Sequence, residues 1–548
     1  MNGERQKRRI EMTMQGEFFG KKLGKVLSSI CFVAATVYAQ SSCLNPQVQR
    51  GPFAVGFKVV HQYDYTRTFK PPYDADGNLE SGERARPIQT CIWYPANTPG
   101  TTAPMRFEEY VYLMATETNF VDSSEHQNII GLNSFLRFYR RPQLTVASEL
   151  KSQTYAFKNA VAVNGKFPIV IYAPSWNAPA WENSLLCEYL ASHGYLVFAS
   201  PCLGVTTRYM NIGVDEELFL EAQARDIEFL LGFARHYPSA DIARIALIGF
   251  SWGGTSNVLV AFRNSAVNAV ISLDGAIRTY YSQYFNASPY ESSIKKFKRP
   301  FLYLSQKSIP IDSMVAYNMD VSFTFYDSLD YSDAYWITMH KFSHRDFGST
   351  FIRFVDRQSK QHGAGTIWEQ ASIGDANEGY RLICLYILNF LNGYVKGEKE
   401  SLEFLKNDPV KNGIPASVLT LQSKVGLKTP QSVSEFAHRL KQFGYKKIRE
   451  LYTEIRKSDI EFSLKEQEVN SWGYTLLRAN KVKEAIEVFS LNTLLYPESS
   501  NTYDSLGEAY MVLGDVALAI KNYEQSLALN PGNSNAESML KILKQEKQ

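Results

Sequence analysis

The residues Gly249-Phe250-Ser251-Trp252-Gly253 set one serine between two glycines, at the end of the apolar run Ile245-Ala246-Leu247-Ile248 and at the start of a helix-like pattern. A strand entering such a turn and a helix leaving it would hold Ser251 in a sharp bend, with its Oγ exposed above the edge of a sheet. Glycine at 249 and 253 lets the strand and the helix fold back on each other with no Cβ between them. A structural turn in which serine merely caps the helix has the same spacing, so the partners must decide. A serine hydroxyl is a weak nucleophile near neutral pH. It needs a general base, and the base needs a carboxylate to orient it.

In the order serine, acid, histidine the base follows the acid, and four histidines follow Ser251: His340, His344, His362 and His438. His438 lies beyond a proline-bearing stretch, and His362 follows no strand-like run. His340 and His344 both come directly after the apolar run Asp333–Met339, and both qualify. For the acid, Asp274 ends the run Asn268–Asp274 and precedes Gly275, so its carboxylate should emerge at the carboxyl edge of a sheet. Asp312, after Arg299–Ser305, is the competitor. Strand context favours Asp274, with a turn-forming Asp-Gly as the structural alternative. Acyl transfer also needs donors for an oxyanion, and the backbone N–H that follows the nucleophile, that of Trp252, supplies one.

These residues need a scaffold that brings strand ends together. Short apolar runs recur at Pro87–Pro95, Phe167–Pro174, Tyr195–Pro201, Arg244–Phe250, Asn268–Asp274, Arg299–Ser305 and Asp333–Met339. Helical patterns over Asn183–Gly194 and Glu216–Pro238 lie between them. That alternation predicts an α/β fold with a mainly parallel sheet. Residues 96–166 read as a polar, mixed insertion with no assigned element.

The segments GPFAVGF, RPIQTCIWYP, FPIVIYAPSWN, YLASHGYLVFASP, ARIALIGFSWGG and VISLDGA, in that order, resemble those of platelet-activating-factor acetylhydrolase-like and dienelactone hydrolase-like serine esterases. The resemblance spans most of residues 51–395. It implies the α/β-hydrolase fold, a Ser-His-Asp triad, and carboxylic ester substrates, including lipid acetyl or short-acyl esters. His344-Arg345-Asp346-Phe347 is similar to the family's H-x-x-F element, which makes His344 the base. The family's acid occupies the position of Asp274, and its second oxyanion donor falls on the N–H of Trp176. The sequence departs from the pattern at Pro174-Ser175, where many relatives carry His-Gly. Backbone amides supply the donors, so the change need not abolish the hole, but proline itself has no N–H.

With 548 residues the chain exceeds one ordinary domain. Residues 399–434 carry Pro409, Pro415 and Pro430 and read as a linker. Beyond it, a 34-residue self-match pairs Gly473 with Gly507, Ala485 with Ala519, Phe489 with Tyr523 and Pro497 with Pro531. This resembles the tetratricopeptide repeat, in which small residues let paired helices approach. The expected organisation is a secretory signal over 1–40, a hydrolase domain over 41–398, the linker, and a helical repeat domain over 435–548. Residues 436–462 would add a degenerate helix pair and 535–543 a capping helix. The repeats are a surface for a protein partner or for self-association.

Charge excludes a class of partner. There are 58 Lys+Arg against 55 Asp+Glu, a net of +3, and the first 40 residues alone carry seven basic and three acidic side chains, +4. The remainder is near neutral and implies no nucleic-acid face. Lys21, Lys22 and Lys25 before the apolar run Val26–Ala39 read as a cleaved export signal rather than a membrane anchor, placing the protein in the periplasm or outside the cell. Six cysteines lack zinc-type spacing, and Cys187 and Cys384 fall in apolar helical runs. No metal or organic cofactor is called for. Trp176, Trp181 and Trp252 are expected to crowd the site; Asp226, His193 and His236 are read as structural.

Overall fold

In the computed structural model of the chain, residues 44–545 are described except for 74–76, 80–81, 99, 101, 121–124, 140–142, 211–215, 286–293, 295–296, 355–371, 427–432 and 459–461. The expected signal segment and His362 lie outside the described residues. The chain divides into two compact units, one holding most of the residues up to Ser423 and the other built mainly from 424–548.

The first unit is organised on a ten-stranded sheet with strands β1 (Ala54–Thr68), β2 (Ala85–Ala96), β3 (Ala156–Lys158), β4 (Phe167–Ala173), β5 (Leu196–Ala199), β6 (Ala240–Phe250), β7 (Ala269–Leu273), β8 (Phe301–Ser305), β9 (Ala334–Met339) and β10 (Leu419–Lys424). Their spatial order is β10-β9-β8-β7-β6-β4-β5-β2-β1-β3. From β5 through β4, β6, β7 and β8 to β9 every pairing is parallel; β1–β2 and β2–β5 are antiparallel. The parallel strands are almost wholly buried, which is why they read as continuous apolar runs rather than alternations.

Chain order reverses around β4. The strand that follows it, β5, lies on one side and β6 on the other, so a crevice opens at the carboxyl ends of β4 and β6. The turns that leave β4, β6, β7 and β9 carry the residues singled out for chemistry.

The insertion at 96–166 folds into helices Phe107–Tyr112, Glu125–Tyr139 and Gln143–Leu150, followed by β3. Its apolar side meets Trp181, whose ring packs on Phe107, Tyr110 and Phe135 at 5.6, 6.4 and 6.1 Å. Trp181 is therefore a core residue and does not crowd the site. Asp226 is structural as expected: its carboxylate holds the buried Arg86 at 2.6 and 2.7 Å and Arg67 at 2.7 Å. Arg86 in turn donates to the carbonyls of Leu203, Gly204 and Val205 and fixes the chain after β5.

Residues 399–434 differ from the linker expected of them. They hold the helix Lys399–Lys406, a turn at Pro409–Asn412 and the edge strand β10. Leu405, Ile414 and Leu419 are buried in the same core as Ile337 and Met339 of β9. The prolines punctuate short elements here instead of marking free chain. Pro409 opens a 3-10 turn capped by Asp408, whose side chain accepts from the Val410 N–H at 2.8 Å.

In the second unit, helices Glu466–Arg478, Val482–Leu495, Ser500–Leu513 and Val516–Leu529 form two hairpins 34 residues apart, followed by Ser534–Gln545. A Cβ at Gly473 would lie 2.4 Å from the Phe489 ring and one at Gly507 would lie 3.1 Å from the Tyr523 ring. Each glycine thus sets how closely its two helices approach. Helices Val433–Phe443 and Ile448–Ser458 precede the hairpins, and Phe436, Leu451 and Ile455 share their core.

Candidate active site

Ser251 sits between the end of β6 and the helix Trp252–Arg263 with φ 53° and ψ −117°, a left-handed conformation unusual for a residue with a side chain. Contacts on both sides force it. A Cβ on Gly253 would lie 2.1 Å from the Ala173 carbonyl oxygen, and one on Gly249 would lie 2.3 Å from Gly253. The Ser251 N–H donates to the Leu273 carbonyl at 2.9 Å, tying the bend to β7. Backbone strain of this kind persists only where the surroundings over-determine it.

The structure brings Ser251, His344 and Asp274 together. The Ser251 Oγ lies 3.0 Å from His344 Nε2, and His344 Nδ1 lies 2.7 Å from Asp274 Oδ2. A carboxylate only accepts, so Nδ1 carries the proton and Nε2 accepts from the Ser251 hydroxyl. Asp274, with φ 42°, is anchored by its own N–H to the Leu304 carbonyl at 2.7 Å, and its Oδ1 accepts from the Gln306 N–H at 3.1 Å. The carboxylate is buried while the imidazole is partly open to solvent.

His344 begins a short 3-10 turn, His344–Phe347. The Asp346 carboxylate accepts from the Ser343 N–H at 2.8 Å and the Ser343 hydroxyl at 2.7 Å, closing a capping box around it. Phe347 is fully buried against Phe342, and the imidazole lies beside the ring of Phe250 at 5.0 Å. The alternatives stand elsewhere. The backbone N–H of His340 donates to the Val418 carbonyl at 2.9 Å, and its side chain makes no bond to Ser251 or Asp274, which are both met by His344; Asp312 is exposed on the short helix Ile311–Ala316.

Trp252 is the first residue of its helix, where an N–H has no intrahelical acceptor. Among the described residues the Trp176 N–H also donates to no protein group. The two indoles meet edge to face at 4.7 Å, and Trp252 continues onto Tyr284 at 5.4 Å.

Beside Ser251 and Asp274 lies a cavity of about 250 Å³, walled by Tyr280, Tyr303, Met314, Met319 and Trp336. Arg278, also on the wall, donates to the carbonyls of Asp320, Val321 and Ser322. Most of these wall residues carry no mark in the sequence, because they come from the chain after β7 and after β8; the strand positions of Tyr303 in β8 and Trp336 in β9 are the available signals.

Sheet order, the bend at Ser251 and the crevice at the strand ends define an α/β-hydrolase. Residues 153–307 match the dienelactone hydrolase family, and residues 500–533 match the tetratricopeptide repeat. The chain is thus a dienelactone hydrolase-like α/β-hydrolase, an enzyme class of hydrolases, with a tetratricopeptide repeat at its C-terminal end. Among solved structures, it is similar to a ferulic acid esterase from Streptomyces cinnamoneus, at 18% identity and a TM-score of 0.46, over 64% of this chain and 92% of that one. No curated protein matches the sequence. Among the described residues no helix is long and apolar enough to cross a membrane, and no group of three or more His, Cys, Asp or Glu is placed to hold a metal ion. Cys91, Cys187, Cys202 and Cys384 are buried free thiols.

Proposed function

We propose that the protein is an exported serine esterase that cleaves carboxylic esters through an acyl-enzyme. The observation that carries this reading is the unbroken hydrogen-bonded path from Ser251 through His344 to Asp274 at the carboxyl edge of the sheet. The Ser251 hydroxyl proton passes to His344 Nε2 as Oγ attacks the ester carbonyl carbon. Asp274 holds the imidazole in the required tautomer and stabilises the imidazolium that forms. Negative charge on the carbonyl oxygen is met by the N–H groups of Trp252 and Trp176. The tetrahedral intermediate collapses as His344 returns the proton to the leaving alcohol oxygen. A water molecule, deprotonated by the same nitrogen, then releases the acid and restores Ser251.

The cavity walled by aromatic rings and thioethers supports an ester with an apolar acyl or alcohol group. Lipid acetyl and short-acyl esters fall within that class. The basic residues and apolar run before Gln40 support export, and the repeats support association with a protein partner or a second copy.

A fluorophosphonate probe should label the full chain at Ser251 and leave Ser251→Ala unlabelled, while a panel of esters, amides and alcohol acceptors separates an esterase from a peptidase or an acyltransferase. Labelling of Ser251→Ala at the normal rate refutes the assignment. Export predicts a mature N-terminus near Gln40 or Ser41, and N-terminal sequencing that finds residues 1–30 intact on the folded protein overturns it.

A further inference from the structure

Glu182 and Asn183 break two local rules at once. A carboxylate with no exposed surface is ordinarily paired with a cation. Glu182 is 0% exposed, yet its donors are uncharged: the Ser175 N–H at 2.8 Å and the Tyr172 hydroxyl at 3.5 Å on Oε2, and the Ser175 hydroxyl on Oε1. An asparagine at the start of a helix ordinarily caps that helix. Asn183 is the N-cap of Ser184–Ser192, but its side chain makes no cap bond.

It reaches instead to the segment that follows His344. Asn183 Nδ2 donates to the Phe347 carbonyl at 2.9 Å, and its Oδ1 accepts from the Ser349 N–H at 3.0 Å and from the Tyr380 hydroxyl. The Glu182 carbonyl accepts from the Thr350 N–H at 3.2 Å and the Thr350 hydroxyl at 2.7 Å. Two adjacent residues thus bind the turn after β4 through one side chain and the histidine segment through the other. Local rules broken together at such a place point to a positional task.

The turn after β4 shows what that task is. Pro174 has no N–H, and the Ser175 N–H is taken by Glu182, so Trp176 is the first residue after the strand with an amide free for a ligand. The Ser175 hydroxyl gives the Glu182 carboxyl group its second grip on the same residue.

We propose that Glu182 and Asn183 are positioning residues of the acyl-transfer site: the Glu182 carboxyl group fixes the Ser175-Trp176 peptide so that the Trp176 N–H faces the oxyanion, and Asn183 fixes the segment that carries His344. This rests on the Ser251–His344–Asp274 reading. Neither residue touches the reacting atoms. Their effect falls on the transition state, where the oxyanion exists, and little on ground-state binding.

Glu188 provides an internal control. It lies in the same segment and is equally buried, but its carboxylate accepts from the Tyr110 hydroxyl at 2.8 Å and the Tyr155 N–H at 3.0 Å, away from the catalytic side chains.

The experiment uses the full chain and the variants Glu182→Ala, Glu182→Gln, Asn183→Ala, Glu188→Gln and Ser251→Ala. It measures kcat and KM on an activated ester, affinity for a trifluoromethyl ketone analogue, and melting temperature. Glu182→Ala should lower kcat by about 10²-fold, the scale of one lost oxyanion donor, with KM within threefold and weaker analogue binding to match. Glu182→Gln, which keeps an acceptor for the Ser175 N–H, should recover at least tenfold of that loss. Asn183→Ala should lower kcat at least tenfold. Glu188→Gln should keep at least half of the wild-type kcat whatever its melting temperature.

If Glu182→Ala folds and keeps kcat within threefold, the proposal is wrong. Should Glu182→Ala fail to fold, Asn183→Ala decides: kcat within threefold of wild type in that variant overturns it. A fully active Ser251→Ala instead refutes the triad reading beneath it, so the two failures are distinguishable.

Discussion

Ending the chain after Glu398 should cripple the hydrolase, whereas ending it after Gly426 should not. The shorter chain loses the helix Lys399–Lys406 and β10, and with them Leu405 and Leu419, both 0% exposed, and Ile414, 5% exposed. Full burial of a leucine or isoleucine side chain contributes about 1.5–3 kcal/mol, so the three together are worth about 5–9 kcal/mol. A realistic unfolded chain already hides part of that area, which brings the figure to about 3–8 kcal/mol. Domains are typically stable by only about 5–15 kcal/mol, so the loss is a large share of the total. It also falls next to the chemistry, because the Val418 carbonyl that accepts the His340 backbone N–H at 2.9 Å disappears, and His340 opens the loop leading to His344. The assay is thermal melting followed by circular dichroism, with kcat/KM on a small activated ester measured on both chains at the same temperature. The chain ending after Glu398 should melt at least about 5 °C lower, given a few degrees per kcal/mol at this size, and lose at least tenfold in kcat/KM. Equal melting within 2 °C and rates within threefold would refute the assignment of residues 399–424 to the catalytic unit.

Ser251→Ala should lower kcat by roughly 10⁴ to 10⁶, because the members of a triad act as a unit; steady-state kinetics on the activated ester reads it, and full activity sinks the enzyme assignment. His344→Gln and Asp274→Asn should be severe while His340→Gln and Asp312→Asn stay within about tenfold of wild type, and the reverse order in either pair reassigns the base or the acid. Burial pushes the carboxyls of Glu182 and Glu188 from the ordinary value of 4.5 up to about 7, with hydrogen bonds pulling part of the way back. Between those values the folded chain keeps both protons and the unfolded chain has released them, so stability is fully present below about pH 4.5 and is lost as pH rises through 7. The loss is on the order of 3 kcal/mol for each carboxyl. Denaturant titrations at pH 5 and pH 8 should therefore show a smaller pH difference in Glu188→Gln than in wild type, and an unchanged difference counts against a neutral buried carboxyl.

What could be read from the sequence follows from what each residue's surroundings demand of it. All seven apolar runs became strands: six lie in the parallel stretch, where a strand buried on both faces has no polar side to interrupt it, and the seventh, β2, is antiparallel to its neighbours but buried along almost its whole length. β1 and β10 escaped that test for opposite reasons. β1 runs for 15 residues with Lys58, His61, Gln62 and Tyr65 among them and keeps much of its length only half-buried. β10 is a short edge strand, LTLQSK, with a single fully buried residue, and the prolines near it describe loose chain as well as tight turns. The three side chains that the structure joins were each marked locally, by glycines at 249 and 253 or by the end of an apolar run. Choosing His344 over His340 was not local, since both follow β9; the structure separates them by what the following turn does, with Asp346 capping Ser343 and Phe347 sinking into the core. Glu182 and Trp181 show where local signals end. Adjacent in one turn, the indole packs into the insertion's core while the carboxylate turns to a serine seven residues back and its carbonyl to a threonine 168 residues ahead. An acidic residue bound to uncharged donors leaves no compositional trace, and only the fold reveals that a catalytic edge is held from behind.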